Sequence, residues 1–111
     1  MTTIHVPTDT EIETYTGRYF DFDNPDPAVI CKEDIAHALA NICRFTGHVS
    51  RYYSVAEHAI HAREYAEWKG WTVEQQLAVF HPHSAEAYLG DIVPPFKHLL
   101  GDTPKKIEAK I

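Results

Sequence analysis

Two histidines flank a proline in His81-Pro82-His83, with Glu86 three residues further on and Asp91 five beyond that. Imidazole ligates metals and carries protons near neutral pH. A carboxylate beside it can fix a nucleophilic water or move a proton. The stretch therefore holds the groups for metal-assisted or acid–base work on a substrate, and spacing decides how they can combine. Residues two apart on an α-helix point about 200° apart, so His81 and His83 could not share an ion there. In extended chain they face one side, with Cα atoms roughly 6.5 Å apart. Pro82 cannot donate to the carbonyl of Ala78 and biases His81 away from helical backbone. A helix entering this stretch is expected to end or kink at His81, which makes joint chelation feasible. A helix end carrying two exposed imidazoles is the plainer alternative. Where helix resumes, His83 and Glu86 become neighbours on one face, and Asp91, behind Gly90, is either a fixed acid or a cap.

Two further groupings have chemical content. His58 and His61 are three residues apart on an expected helix, so they share a face and could reach one ion. Arg44 and Arg51 bracket Phe45–Ser50, and with His48 they form a cationic cluster able to hold one phosphate or carboxylate. A solvated loop is the competing reading of that cluster.

The elements that must position these groups are mostly helical. Ile35, Ala38, Leu39 and Ile42 recur at three- and four-residue intervals, which gives one apolar face. Ser54-x-x-Glu57 is a capping box for a helix closing before Gly70. Thr72-x-x-Gln75 opens another, with Val73, Leu77 and Phe80 on one face. Thr103 as N-cap and Pro104 at the first helical position start a last helix. Ahead of these, the aromatic alternation in "YTGRYFDFDNPDP" predicts an extended piece or small hairpin covering the helical core. The pattern predicts an all-α fold with a short extended or hairpin segment at its N-terminus, in one domain over 1–111.

Composition narrows the function. With 111 residues and 44% hydrophobic content the chain can bury a modest core. A net charge of −6, histidines neutral, excludes a general binder of long nucleic acid. No apolar run is long enough to span a membrane, and no secretion signal is visible. Cys31 and Cys43 are expected to stay reduced, in a cytoplasm.

The runs "ICRFTGH", "YYSVAEHA" and "SAEAYLGDIVPPFKHLL" together resemble the HD-domain metal-dependent phosphohydrolases, closest to bacterial 5′-deoxynucleotidases and their phage-encoded relatives. The resemblance covers roughly residues 14 to 111. It implies an HD-domain-like helical bundle around one divalent metal, in the cytoplasm of a bacterium or phage-infected host. It implies further that His58 is the first histidine ligand, that Glu86 positions the attacking water, that Asp91 is a second acid near the scissile phosphate, and that Arg44 binds phosphate. The family's His-Asp dipeptide falls on Pro82 and His83, and Asp102 does not take the place of its final aspartate ligand. Imidazole suits Zn, Ni and Co, so His58, His81 and His83 are the metal ligands this sequence offers, with Mn or Mg the harder alternatives.

The expected function is thus metal-dependent hydrolysis of (deoxy)nucleotide phosphoesters by Glu86 and Asp91, with substrate held by Arg44, Arg51 and His48. A non-catalytic module of the same kind, binding a nucleotide or a protein partner, is the alternative. The chain is also expected to lack helices that the family has at its C-terminus, which would leave apolar surface for a homo-oligomer to cover.

Overall fold

Glu11–Glu13 (β1) and Tyr19–Asp21 (β2) each place an apolar residue at the centre and pair antiparallel, with Ile12 opposite Phe20. The structure, a computed structural model, describes residues 4–111, the side chain of His81 excepted. In the turn between the strands the Thr14 N–H donates to the Arg18 carbonyl at 2.7 Å, and Gly17 takes a φ of +86°. That left-handed backbone is strained for any residue with a Cβ. Alternation along β2 turns Phe20 inward, where it is fully buried. Its ring stacks on Tyr88 at 4.2 Å and meets Phe22 edge-on at 5.2 Å.

The hairpin is therefore part of the core and not a cover over it. Asp34, on Lys32–Asn41 (α1), ties it down: the Thr16 N–H and Thr16 Oγ1 both donate to its carboxylate, at 2.8 and 3.0 Å. Asp34 is 3% exposed, so these bonds answer a desolvation cost that an unpaired acid could not bear. Leu39 buries the apolar face of α1, with Ile35, Ala38 and Ile42 half-buried around it.

Val55–Trp68 (α2) begins where the capping box predicts, the Glu57 N–H donating to Ser54 Oγ at 3.0 Å. Val55, Ala59 and Ala66 form its buried stripe. Val73–Phe80 (α3) packs on α2 and carries a reciprocal box: Thr72 N–H to Gln75 Oε1 at 2.9 Å, and Gln75 N–H to Thr72 Oγ1 at 3.1 Å. α3 stops before Pro82, and His81–Ser84 continue as a tighter 3-10 turn. Glu86–Leu89 (α4), Pro94–Leu99 (α5) and Thr103–Glu108 (α6) follow. Asp102, not Thr103, is the cap residue of α6, and Pro104 lies inside its first turn.

This architecture corrects the all-α, HD-domain-like bundle that the sequence pattern and the resemblance led us to expect. Helix makes up about 54% of the residues, in short pieces joined to a two-stranded antiparallel sheet, so the unit is a small mixed domain. The reason is punctuation. Pro82, Gly90, Pro94-Pro95 and Gly101 break the second half so often that α4 to α6 span four to six residues each. Six residues of α-helix rise only about 9 Å, too short to run along a bundle. The apolar face expected for α3 is also not covered: Val73 and Leu77 are 69% and 47% exposed.

Candidate functional site

Arg44 owes its position to an isolated antiparallel bridge between Cys43 and Ser54. The Arg44 N–H donates to the Tyr53 carbonyl at 2.8 Å, and the Val55 N–H to the Ile42 carbonyl at 2.9 Å. The bridge fastens Arg44 to the start of α2, one turn before His58. Immediately after it, Phe45 and Thr46 adopt left-handed backbone, φ +57° and +54°. For residues with a Cβ this costs about 1–2 kcal/mol each. The strained turn sets the Phe45 ring under the Arg44 guanidinium, 4.8 Å from carbon to ring centre.

The break at Pro82 supplies the other side of the site. The 3-10 turn and α4 carry His83 and Glu86 on one face, with Nδ1 of His83 3.2 Å from Oε1 of Glu86. His83 meets His58 edge to face, ring centres 4.9 Å apart. Past Gly90, whose φ of +81° turns the chain out of α4, Asp91 comes back to Arg44, Oδ2 to Nη1 at 3.5 Å. Three separate segments thus bring together His58, His83, Glu86, Asp91 and Arg44.

Burial shapes the protonation of this cluster. It pushes Glu86 above the usual carboxylate range, the charge of Asp91 adds to the push, and His83 and Arg44 oppose it. Burial also lowers His58 below the ordinary imidazole value, with Arg44, His83 and His61 acting the same way and Asp91 against. Burial thus favours the neutral form of both His58 and Glu86, which lie on either side of His83. Oε2 of Glu86 and Nε of Arg44 are buried with no hydrogen-bond partner among the described residues. Each is an acceptor or donor left for something else.

The remaining candidates lie elsewhere. His48 and Arg51 are exposed and line neither of the cavities described below. His61 is exposed on α2, its Nδ1 2.9 Å from the Tyr53 hydroxyl. The His81 side chain lies outside the described residues. Among the described residues no group of three or more His, Cys, Asp or Glu is arranged to hold a metal ion. His58 and His83 are two adjacent imidazole donors, but the described donor set does not complete the shell of a resident metal.

A cavity of about 560 Å³ opens beside the cluster. It is lined by Arg44 and the acids Glu86, Asp91 and Asp102, and by Lys97, His98 and Lys105 from α5 and α6. Sequence reasoning missed these last three. A lysine and a histidine behind Pro94-Pro95 were the available signal, but only the fold carries them across to Arg44.

No protein-family model matches the chain. It is similar to the uncharacterized protein YfdR of Escherichia coli (strain K12), 41% identical over 103 residues, which cover 90% of this chain and 53% of YfdR. An uncharacterized protein of Rhodobacter capsulatus is 37% identical over 90 residues, covering 78% of this chain and 46% of its own length. The chain therefore spans about half the length of the curated relatives it matches.

Proposed function

We propose that this site binds the phosphate of a (deoxy)nucleotide and hydrolyses its ester. One observation carries the reading: Arg44, Lys97 and Lys105 line one cavity together with the acids Glu86, Asp91 and Asp102. Arginine and lysine bind phosphate by charge-assisted hydrogen bonds, and the paired fork of Arg44 adds orientation. Asp91 holds that fork in place. Glu86, whose carboxyl burial pushes above the usual carboxylate range, is the group to exchange a proton with water or with a leaving oxygen, and His83 fixes its orientation. The motif resemblance to the HD-domain phosphohydrolases supports this at the level of residues, and the family's bundle is not carried over with it. A divalent ion, Mn, Co, Ni, Zn or Mg, would find two imidazole donors in His58 and His83 and would need further ligands from substrate or water; such an ion would supply charge balance to the phosphate.

The reading assigns the chain to the cytoplasm of a bacterium or phage-infected host, where nucleotides are available and Cys31 and Cys43 stay thiols. No helix is long and apolar enough to cross a membrane. A second copy of the chain is the proposed cover for the exposed Trp68, Trp71, Val73 and Leu77 around the α2–α3 corner.

The deciding experiment titrates deoxynucleoside monophosphates by calorimetry and follows phosphate release with each of the five ions in turn. Hydrolysis that falls about 10²–10⁴-fold in Glu86→Gln, with binding retained, is the expected result. Binding without release under every condition would make the chain a non-catalytic nucleotide module. No binding at all would end the reading.

A further inference from the structure

A second cavity, of about 410 Å³, lies against the first, and of the candidate catalytic, binding and metal residues named from the sequence only Glu86 and Asp91 line it. Its lining is supplied by Leu89 at the end of α4, Ile92 in the loop, Leu100 after α5, and Pro104 and Ile107 on α6. These side chains point into the same space because α4, α5 and α6 are short and turn sharply, so none of them packs fully on the next. The volume is within the range of small-molecule sites, which are lined mainly by apolar groups with a few polar groups to fix orientation.

Position gives this cavity its meaning. It shares Glu86, Asp91, Ile92 and Lys97 with the polar cavity that holds Arg44 and Lys105. Cations therefore gather on one side of a common wall and aliphatic side chains on the other, with two acids at the junction. Lys97 belongs to both. Its ammonium pairs with Glu108 at 3.3 Å, but both side chains are more than a third exposed, and such a pair contributes little and can be given up. A molecule spanning both cavities would be anionic at one end and apolar at the other.

We propose that the two cavities are one composite site for phosphate monoesters of apolar alcohols. The phosphate lies against Arg44, Lys97 and Lys105, and the aromatic or aliphatic body lies among Leu89, Ile92, Leu100, Pro104 and Ile107. The bond between them crosses the wall where Glu86 and Asp91 stand. The inference rests on the phosphoester reading of the polar cavity and departs from it in the substrate's body, an apolar alcohol in place of the nucleoside: contact with that body is by apolar packing, so shape and size select the alcohol more than hydrogen-bonding edges do.

Benzylphosphonate, in which a CH₂ replaces the ester oxygen, should be titrated against methylphosphonate and benzyl alcohol by calorimetry on the full chain. Filling the apolar cavity should make benzylphosphonate bind about tenfold tighter than methylphosphonate, or better. Benzyl alcohol should bind far more weakly than either. Leu100→Trp, at a position 40% exposed and so tolerant of a larger side chain, should bring the benzyl-to-methyl ratio toward one. Ile107→Asn should do the same by a different route. Equal affinities for the two phosphonates in the unaltered protein would overturn the composite site while leaving the phosphate reading intact. Benzyl alcohol matching benzylphosphonate would mean an apolar pocket unconnected to the anion site, which also overturns it. If neither phosphonate binds, the phosphoester reading fails and this inference fails with it.

Discussion

Arg44 shows how much one side chain can depend on its surroundings. Its backbone is fixed by the bridge to Tyr53, its guanidinium lies on Phe45, and its charge faces Asp91. Replacing it with alanine should weaken phosphate binding about 10- to 100-fold, the range for one charge-assisted hydrogen bond, measured by titration with inorganic phosphate. Asp34 has the opposite role, structural and acid-sensitive. Burial acts to raise its pKa, but hydrogen bonds from Thr14, Thr16 and Cys31 outweigh that and hold it below the ordinary 3.8. A depressed folded-state pKa contributes stability that is present above the unfolded value and lost as pH falls through the folded one. Asp34→Asn should therefore cost about 1–3 kcal/mol at pH 7 in denaturant unfolding. The gap to the parent protein should narrow as pH drops below about 4. A gap constant from pH 7 to pH 2 would mean that the charge contributes nothing.

At the scale of elements, caps and breakers decide the outcome. Ser54→Ala removes the acceptor for the Glu57 N–H and should cost about 1 kcal/mol, read as a fall of about 4 °C in melting temperature. That cap was legible in the sequence because it needs only a hydroxyl and an acid three residues apart. The left-handed turn at Phe45 and Thr46 was not legible, since neither residue type favours it and it follows a bridge between Cys43 and Ser54, eleven residues apart. Thr46→Gly should relieve the turn and raise stability by about 1 kcal/mol, with a matching rise in melting temperature. Pro82 was read correctly as the end of a helix. The resulting neighbourhood of His83 and Glu86 followed from their spacing, whereas the approach of His58 to His83 depended on how α2 meets the 3-10 turn.

For the whole molecule, the described core is sparse, with Phe20 of the hairpin joining Leu39, Val55, Ala59, Ala66 and Tyr88 from the helices. Phe20→Ala should cost about 3–5 kcal/mol in equilibrium unfolding, because the ring is fully buried against Tyr88 and Phe22. A loss below 1 kcal/mol would show that the hairpin is peripheral after all. Elsewhere much apolar surface faces outward: Trp68 and Val73 are 77% and 69% exposed. Self-association at tens of micromolar is the expected consequence, and light scattering should report a mass above that of one chain. Trp68→Glu should move the mass toward monomer. A monomer in the unaltered protein would argue against a second copy as the cover.

Local chemistry is what the sequence by itself determined. It set where helices start at Ser54 and Thr72, where one stops before Pro82, and which ionisable side chains, Arg44, His58, Glu86 and Asp91 among them, stand out as candidates for chemistry. Those features depend on a few neighbouring residues, so short-range rules reach them. Only the tertiary structure decided that short helices and a hairpin make a mixed domain and not a bundle. It alone drew Lys97 and Lys105 toward Arg44, left His48 and Arg51 outside, and opened an apolar cavity beside the acids. Those outcomes depend on how segments far apart in the chain turn and pack, and neither periodicity nor residue spacing records that.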